Sequence, residues 1–234
     1  MTAIFKREFL SYFTTPLGYV FLSVFYLLSG IFFYDVVLYN NTTKIGNICE
    51  MMFSIVLFLI PIITMRLLSE EKRQRTDQVL LTSPVSLTAV VYGKFFAAFS
   101  IYILGMSVIL IYAFVISAFT QLNWLEIIGN LTGIILIGGA MISIGLLISG
   151  MTESQVVAAV ITFGVSLGLM LIESFSGSVN NEIISALVNG VSFQSRYYPF
   201  TRGLFEISSF IYFFSVIIIF NFLTVRVIEK RRWS

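Results

Sequence analysis

Histidine does not occur anywhere in the 234 residues, and cysteine occurs once, as Cys49. The first absence removes Ser-His-Asp and Cys-His catalysis, imidazole metal ligation and histidine pH switching. The second excludes an internal disulfide, and no CxxC pair or Cys/His cluster exists to hold zinc. Charge is scarce as well: 11% of residues are Asp, Glu, Lys or Arg, against about 25% in ordinary soluble domains. With a net charge of +2 there is no concentrated basic face of the kind a nucleic-acid partner requires. A G-x-x-x-x-G-K-[ST] phosphate loop is also missing, so ATP hydrolysis by this chain alone is not expected, and the chain is not expected to be an enzyme.

What the sequence has in quantity is apolar surface. Hydrophobic residues make up 58% of the chain and phenylalanine alone occurs 24 times, which no folded soluble body could cover. The chain therefore reads as an all-α polytopic membrane protein, a single membrane-spanning domain over residues 1–234. A hydrocarbon core of about 30 Å needs about 20 mostly apolar residues per helix. Six such stretches occur, at about 17–38, 51–68, 95–119, 127–149, 156–172 and 208–227. The first follows Lys6 and Arg7 like a signal peptide, but its run is too long and lacks a small-x-small cleavage site, so it is expected to be retained.

Lys and Arg placement gives the expected orientation, because cytoplasmic loops carry the excess. With both termini inside, eleven basic residues (Lys6, Arg7, Arg66, Lys72, Arg73, Arg75, Lys94, Arg226, Lys230, Arg231, Arg232) face the cytoplasm and three (Lys44, Arg196, Arg202) face out. A cell-membrane, multi-pass chain with cytoplasmic termini is expected. Phe5, Phe9, Tyr12 and Phe13 recur at helical spacing opposite Arg7, Ser11 and Thr14, which predicts a short interfacial helix before the first span. Pro16 suits the corner after it. Between spans five and six, Ser174–Ile207 begins too polar to span, and Ile183, Ile184, Leu187, Val188 and Val191 predict a short outer helix.

No charged residue lies near the middle of a proposed span; Arg66, Asp35 and Glu173 sit near span ends. Intramembrane charge usually marks ion or proton pathways, so an ion-coupled carrier is disfavoured. The fourth span carries Gly129, Gly133, Gly138, Gly139 and Gly145, and the fifth Gly164 and Gly168. Their small-x-x-x-small spacing lets helices approach closely, within one unit or between two.

The densest information lies in the link from Ser69 to Lys94. Glu70, Glu71, Lys72, Arg73 and Arg75 crowd both signs of charge into two turns, Val79, Leu80 and Leu81 form an apolar knuckle, and Thr82, Ser83 and Pro84 stop the helix. The residues alone fit equally a helix resting its apolar face on lipid headgroups and a docking element for a soluble partner.

This segment resembles the first coupling helix of the type-two ABC exporter permeases, and in particular the GldF/NosY-like ABC transporter permeases. In these an acidic pair, a basic residue, Gly-Thr, a Leu-Leu-Thr-Ser-Pro run and a later Gly-Lys recur at this spacing. Looser matches are Phe5-Lys6-Arg7-Glu8 with Tyr12, Phe13 and Pro16, then Thr152-Glu153-Ser154-Gln155, Phe200-Thr201-Arg202-Gly203, Phe222-Leu223-Thr224 and Arg231-Arg232-Trp233. Two positions depart from the pattern: Arg75 stands where the family commonly has glycine, and Gln78 where it commonly has glutamate.

The resemblance implies a permease subunit that couples ATP hydrolysis by a separate ABC ATPase subunit to export or to force on an extracytoplasmic partner. ATP and Mg would be bound by that ATPase, with no cofactor in this chain. A second permease chain, identical or not, would complete the membrane unit. It also implies ATPase contacts through Glu70, Glu71, Lys72, Arg73, Arg75 and Thr76, with Val79, Leu80 and Leu81 filling the groove and Thr152, Glu153, Ser154 and Gln155 touching the same subunit. The rival of another class is a non-transporting scaffold of an envelope machine.

Overall fold

The computed structural model describes residues 1–40, 42, 45–76, 86–176, 190 and 192–232. Among these every regular element is helical. Six helices are long and apolar enough to cross a membrane: Pro16–Tyr39, Ile45–Arg73, Leu87–Ser117, Trp124–Met151, Gln155–Ile172 and Ile207–Lys230.

The chain opens with α1 (Thr2–Thr14), whose Phe5, Phe9 and Phe13 form a ladder with ring centroids 5.8 and 5.3 Å apart. Thr15 is extended (φ −109°, ψ 154°) and Pro16 occupies the first turn of α2 (Pro16–Phe33), the arrangement a proline imposes on its predecessor. Gly18 makes the corner tight: a Cβ there would stand 2.4 Å from the Tyr12 carbonyl oxygen. A π-helical turn, Tyr34–Tyr39, extends α2.

The second span is α3 (Ile45–Thr64), which begins six residues before the apolar stretch expected at 51 and ends beside a tight turn into α4 (Ser69–Arg73). The third, α5 (Leu87–Ser117), likewise starts eight residues before the expected 95, because Ser86 caps it by accepting from the Ala89 N–H. Lys94 therefore lies two turns inside a helix instead of at a loop's end. Then follow α6 (Trp124–Met151), capped by Asn123, α7 (Gln155–Ser176), α8 (Phe193–Thr201), capped by Ser192, and α9 (Ile207–Arg232).

The centre of the bundle is α6, which packs against α3, α5, α7, α8 and α9. Glycines bring the neighbours close: a Cβ on Gly133 would meet the Tyr197 ring at 2.7 Å, and one on Gly145 would meet Thr64 Oγ1 at 2.4 Å. Gly129, Gly138 and Gly139 also face residues of the same chain. Gly164 and Gly168 on α7 face open space. The residues expected to form the outer helix, Ile183, Ile184, Leu187, Val188 and Val191, lie outside the described residues; α8 packs on α6.

Candidate functional site

At one end of the bundle α1, α4, the start of α5 and the end of α6 converge. Their local geometry follows from the backbone groups left over where helices stop. After Pro61 the chain tightens, with the Leu67 N–H turning to the Thr64 carbonyl (3.2 Å). That leaves the Ile63 carbonyl without its helical donor, and the buried Tyr12 hydroxyl donates to it at 3.0 Å. Burial pushes the Tyr12 phenol up, which keeps it a donor. The Leu68 and Ser69 N–H groups both donate to Ser149 Oγ (3.0 and 3.1 Å), and that hydroxyl donates in turn to the Met65 carbonyl. Lys72 Nζ bonds the Gly150 carbonyl, placing a cation at the negative end of the α6 dipole.

Around these bonds runs a network of charge. Lys94, only 1% exposed, contacts Glu71 at 2.9 Å and Glu8 at 3.2 Å. Arg7 contacts the same two carboxylates at 2.6 and 3.1 Å. Arg66 pairs with Glu70 at 3.1 Å and donates to Ser11 Oγ and Thr15 Oγ1. Burial by itself would push the Glu8 carboxyl up, but Lys94 and Arg7 outweigh it and hold it below the usual carboxylate range. The Glu8 hydrogen bond raises the Arg7 guanidinium in turn, against the opposing pull of burial. A cavity of about 340 Å³ opens here, lined by Arg7, Glu8, Arg66, Glu70, Glu71 and Lys94 among others. A buried ion is tolerated only when its partners replace water. Two carboxylates do so for Lys94.

The sequence-derived site residues divide accordingly. Glu70, Glu71 and Lys72 turn inward and anchor α4 to its own chain. Arg73, Arg75 and Thr76 are exposed at its tip. The tip closes in a Schellman motif, with Thr76 N–H on the Glu71 carbonyl (3.0 Å) and Arg75 N–H on the Lys72 carbonyl (3.1 Å). This places Arg75 at φ 55°, alone among the described non-glycine residues in the left-handed region, and accounts for glycine at this position in the pattern the segment resembles. Thr152, Glu153, Ser154 and Gln155 form the turn from α6 to α7, the two helices that α4 packs against, so both patches share one end of the molecule. Val79, Leu80 and Leu81 lie outside the described residues.

Sequence reasoning placed Lys94, Arg66, Glu8 and Ser11 by charge, helix face or motif but gave none of them a partner, and it did not single out Ser149. One signal was available for Lys94. A lysine one residue after Gly93 at a span entrance, with an acidic pair upstream, needs a carboxylate if the helix begins early. Gly93 lets α1 come close enough to provide one, since a Cβ there would meet Ile4 Cγ2 at 2.9 Å.

No curated protein matches the chain. A family model described as ABC-2 family transporter protein matches residues 15–203.

Proposed function

Because the chain belongs to the ABC-2 family of transporter proteins, we propose that it is the membrane-spanning permease subunit of an ATP-driven machine of the GldF/NosY-like kind. As a permease of that family it works with an ABC ATPase subunit in the lipid bilayer. In this reading α4 and the α6–α7 turn dock on the ATPase, and both termini lie on the same cytoplasmic side. The chain contributes no catalytic residue; the ATPase binds ATP and Mg. Closure of the ATPases pushes α4, and the spans carry the displacement to export a substrate or to work on an extracytoplasmic partner.

The observation that carries this reading is the two-sided character of α4. Its inward side is clamped to α1, α5 and α6 by Glu71, Lys72 and the Ser149 hydroxyl, and Glu70 pairs with Arg66 in the turn before it, while Arg73, Arg75 and Thr76 are exposed at the tip. A helix resting on headgroups needs no such clamp; a helix that transmits a push does. Because α6 fills the centre of the bundle, a passage would run along the outside of one chain, between it and a second permease chain, which supports a dimer.

The test is co-purification from the native membrane with the soluble ABC ATPase. Arg73→Glu together with Arg75→Glu is expected to lower ATPase recovery at least tenfold with membrane insertion unchanged. Recovery equal to wild type, with crosslinks from α4 to phospholipid alone, would overturn the coupling role.

A further inference from the structure

The opposite end of the bundle holds a second cavity, of about 190 Å³, between the start of α3 and the face of α8 that carries Gln194, Tyr197, Tyr198 and Thr201. These four positions recur at three- and four-residue intervals, so a single stripe of the short helix lines one wall. The other wall is Glu50, Phe53 and Ser54 of α3. The Phe53 and Tyr197 rings stack between the walls with centroids 5.6 Å apart. The Tyr197 hydroxyl is fixed by donation to Asn130 Oδ1 at 2.9 Å, and Asn130 is itself held by the Glu126 carbonyl. The cleft is therefore built on a rigid base.

Its chemistry is one-sided. A carboxylate accepts and never donates, the aromatic faces carry negative quadrupoles, and Glu50 has no ion pair with any described residue, though it is exposed in the cleft. The nearby guanidiniums are engaged elsewhere: Arg196 donates to Ser208 Oγ and faces the Tyr212 ring, and Arg202 donates to the Tyr198 hydroxyl and lies 4.6 Å over that ring. Arg202 thus puts a positive charge at the rim, on Tyr198, which itself lines the cavity. A carboxylate between aromatic rings attracts an organic cation, and a guanidinium at the edge attracts a phosphate.

We propose that this cleft binds the ammonium end of a zwitterionic phosphodiester or phosphomonoester headgroup, ammonium against Glu50 and the Tyr198 ring, phosphate at Arg202. The volume admits such a headgroup and leaves acyl chains outside. The site is independent of ATP coupling, and its failure leaves the permease reading untouched.

The experiment measures lipid retained by the purified full chain in detergent, by native mass spectrometry, with phosphatidylethanolamine and phosphatidylglycerol offered in equal amounts. Glu50→Gln, nearly isosteric and at an exposed position, is expected to lower ethanolamine-lipid retention at least fivefold with glycerol-lipid retention unchanged. Tyr198→Ala is expected to do the same. Soluble phosphoethanolamine displacing the lipid from wild type would identify the free headgroup as sufficient; loss in Glu50→Gln without displacement would identify the lipid as the source. Equal retention in wild type and Glu50→Gln, or an equal loss of both lipids, overturns the proposal. A melting temperature for Glu50→Gln matching wild type excludes misfolding as the cause.

Discussion

The two ends of the bundle solve the same problem with opposite chemistry. At the α4 end, short connections and helix termini are joined by charge: Lys94 and Arg7 against Glu8 and Glu71, Arg66 against Glu70. At the α8 end, neutral groups do it, through Tyr197 on Asn130, Asn130 on the Glu126 and Thr201 carbonyls, and Phe200 packed with Phe205 and Phe210. The contrast teaches how differently the two ends are held together. A network of long charged side chains ties three helices that are remote in sequence, whereas a neutral clamp on a central glycine-lined helix fixes one short element in place.

The sharpest way to break the contrast is at Lys94. Replacing it by methionine leaves Glu8 and Glu71 facing each other with Arg7 alone, and removing one partner of a buried ion pair costs about 3–5 kcal/mol. Thermal unfolding in detergent should show the loss, and Glu8→Gln in the same chain should return part of it. Next in size is the neutral clamp. Tyr197→Phe removes one buried hydrogen bond and is expected to cost about 1–2 kcal/mol. A loss at Tyr197 as large as at Lys94 would erase the distinction.

Acid should separate the two ends next. Glu8 is held below its ordinary value of 4.5, so its stabilising contribution is complete above pH 4.5 and is lost as pH falls through the lower folded-state value. Measured from pH 7 to pH 3, the melting temperature of wild type should fall more than that of Glu8→Gln, while Tyr197→Phe should track wild type. Parallel curves for wild type and Glu8→Gln would contradict this. The smallest effect is expected at the α4 tip, where Arg75→Gly relieves a left-handed residue and gains up to about 1 kcal/mol, visible as a slightly higher melting temperature.

Much of this is legible in the sequence. Apolar run length gave six spans because lipid leaves backbone polar groups no partner except an internal one, and Pro16 marked its corner. The fourth and fifth spans show where legibility stopped. They are about equally apolar, yet most of α6 is buried inside the chain and most of α7 is not. In lipid, a helix that faces protein and one that faces its surroundings are equally greasy, so composition carries no contrast between them. Glycine spacing was no better a guide: Gly133 and Gly145 receive Tyr197 and Thr64, whereas Gly164 and Gly168 receive nothing from the described residues. The charges of the α4 segment were read as a single contact set, whereas Glu70, Glu71 and Lys72 turn inward and Arg73 and Arg75 do not.

By itself the sequence determined that the chain is helical and crosses the membrane, that it carries no histidine and a single cysteine, and that its opposite charges gather next to the second and third spans. Residue type and run length are enough for that, because the hydrocarbon layer penalises every alternative. The tertiary structure decided that Glu71 serves Lys94 and Arg7, that Arg73 and Arg75 are left outside, and that α6 is the axis. Those outcomes depend on helices that start one or two turns early and on side chains from distant segments meeting, and periodicity along one helix names a face without naming what will stand opposite it.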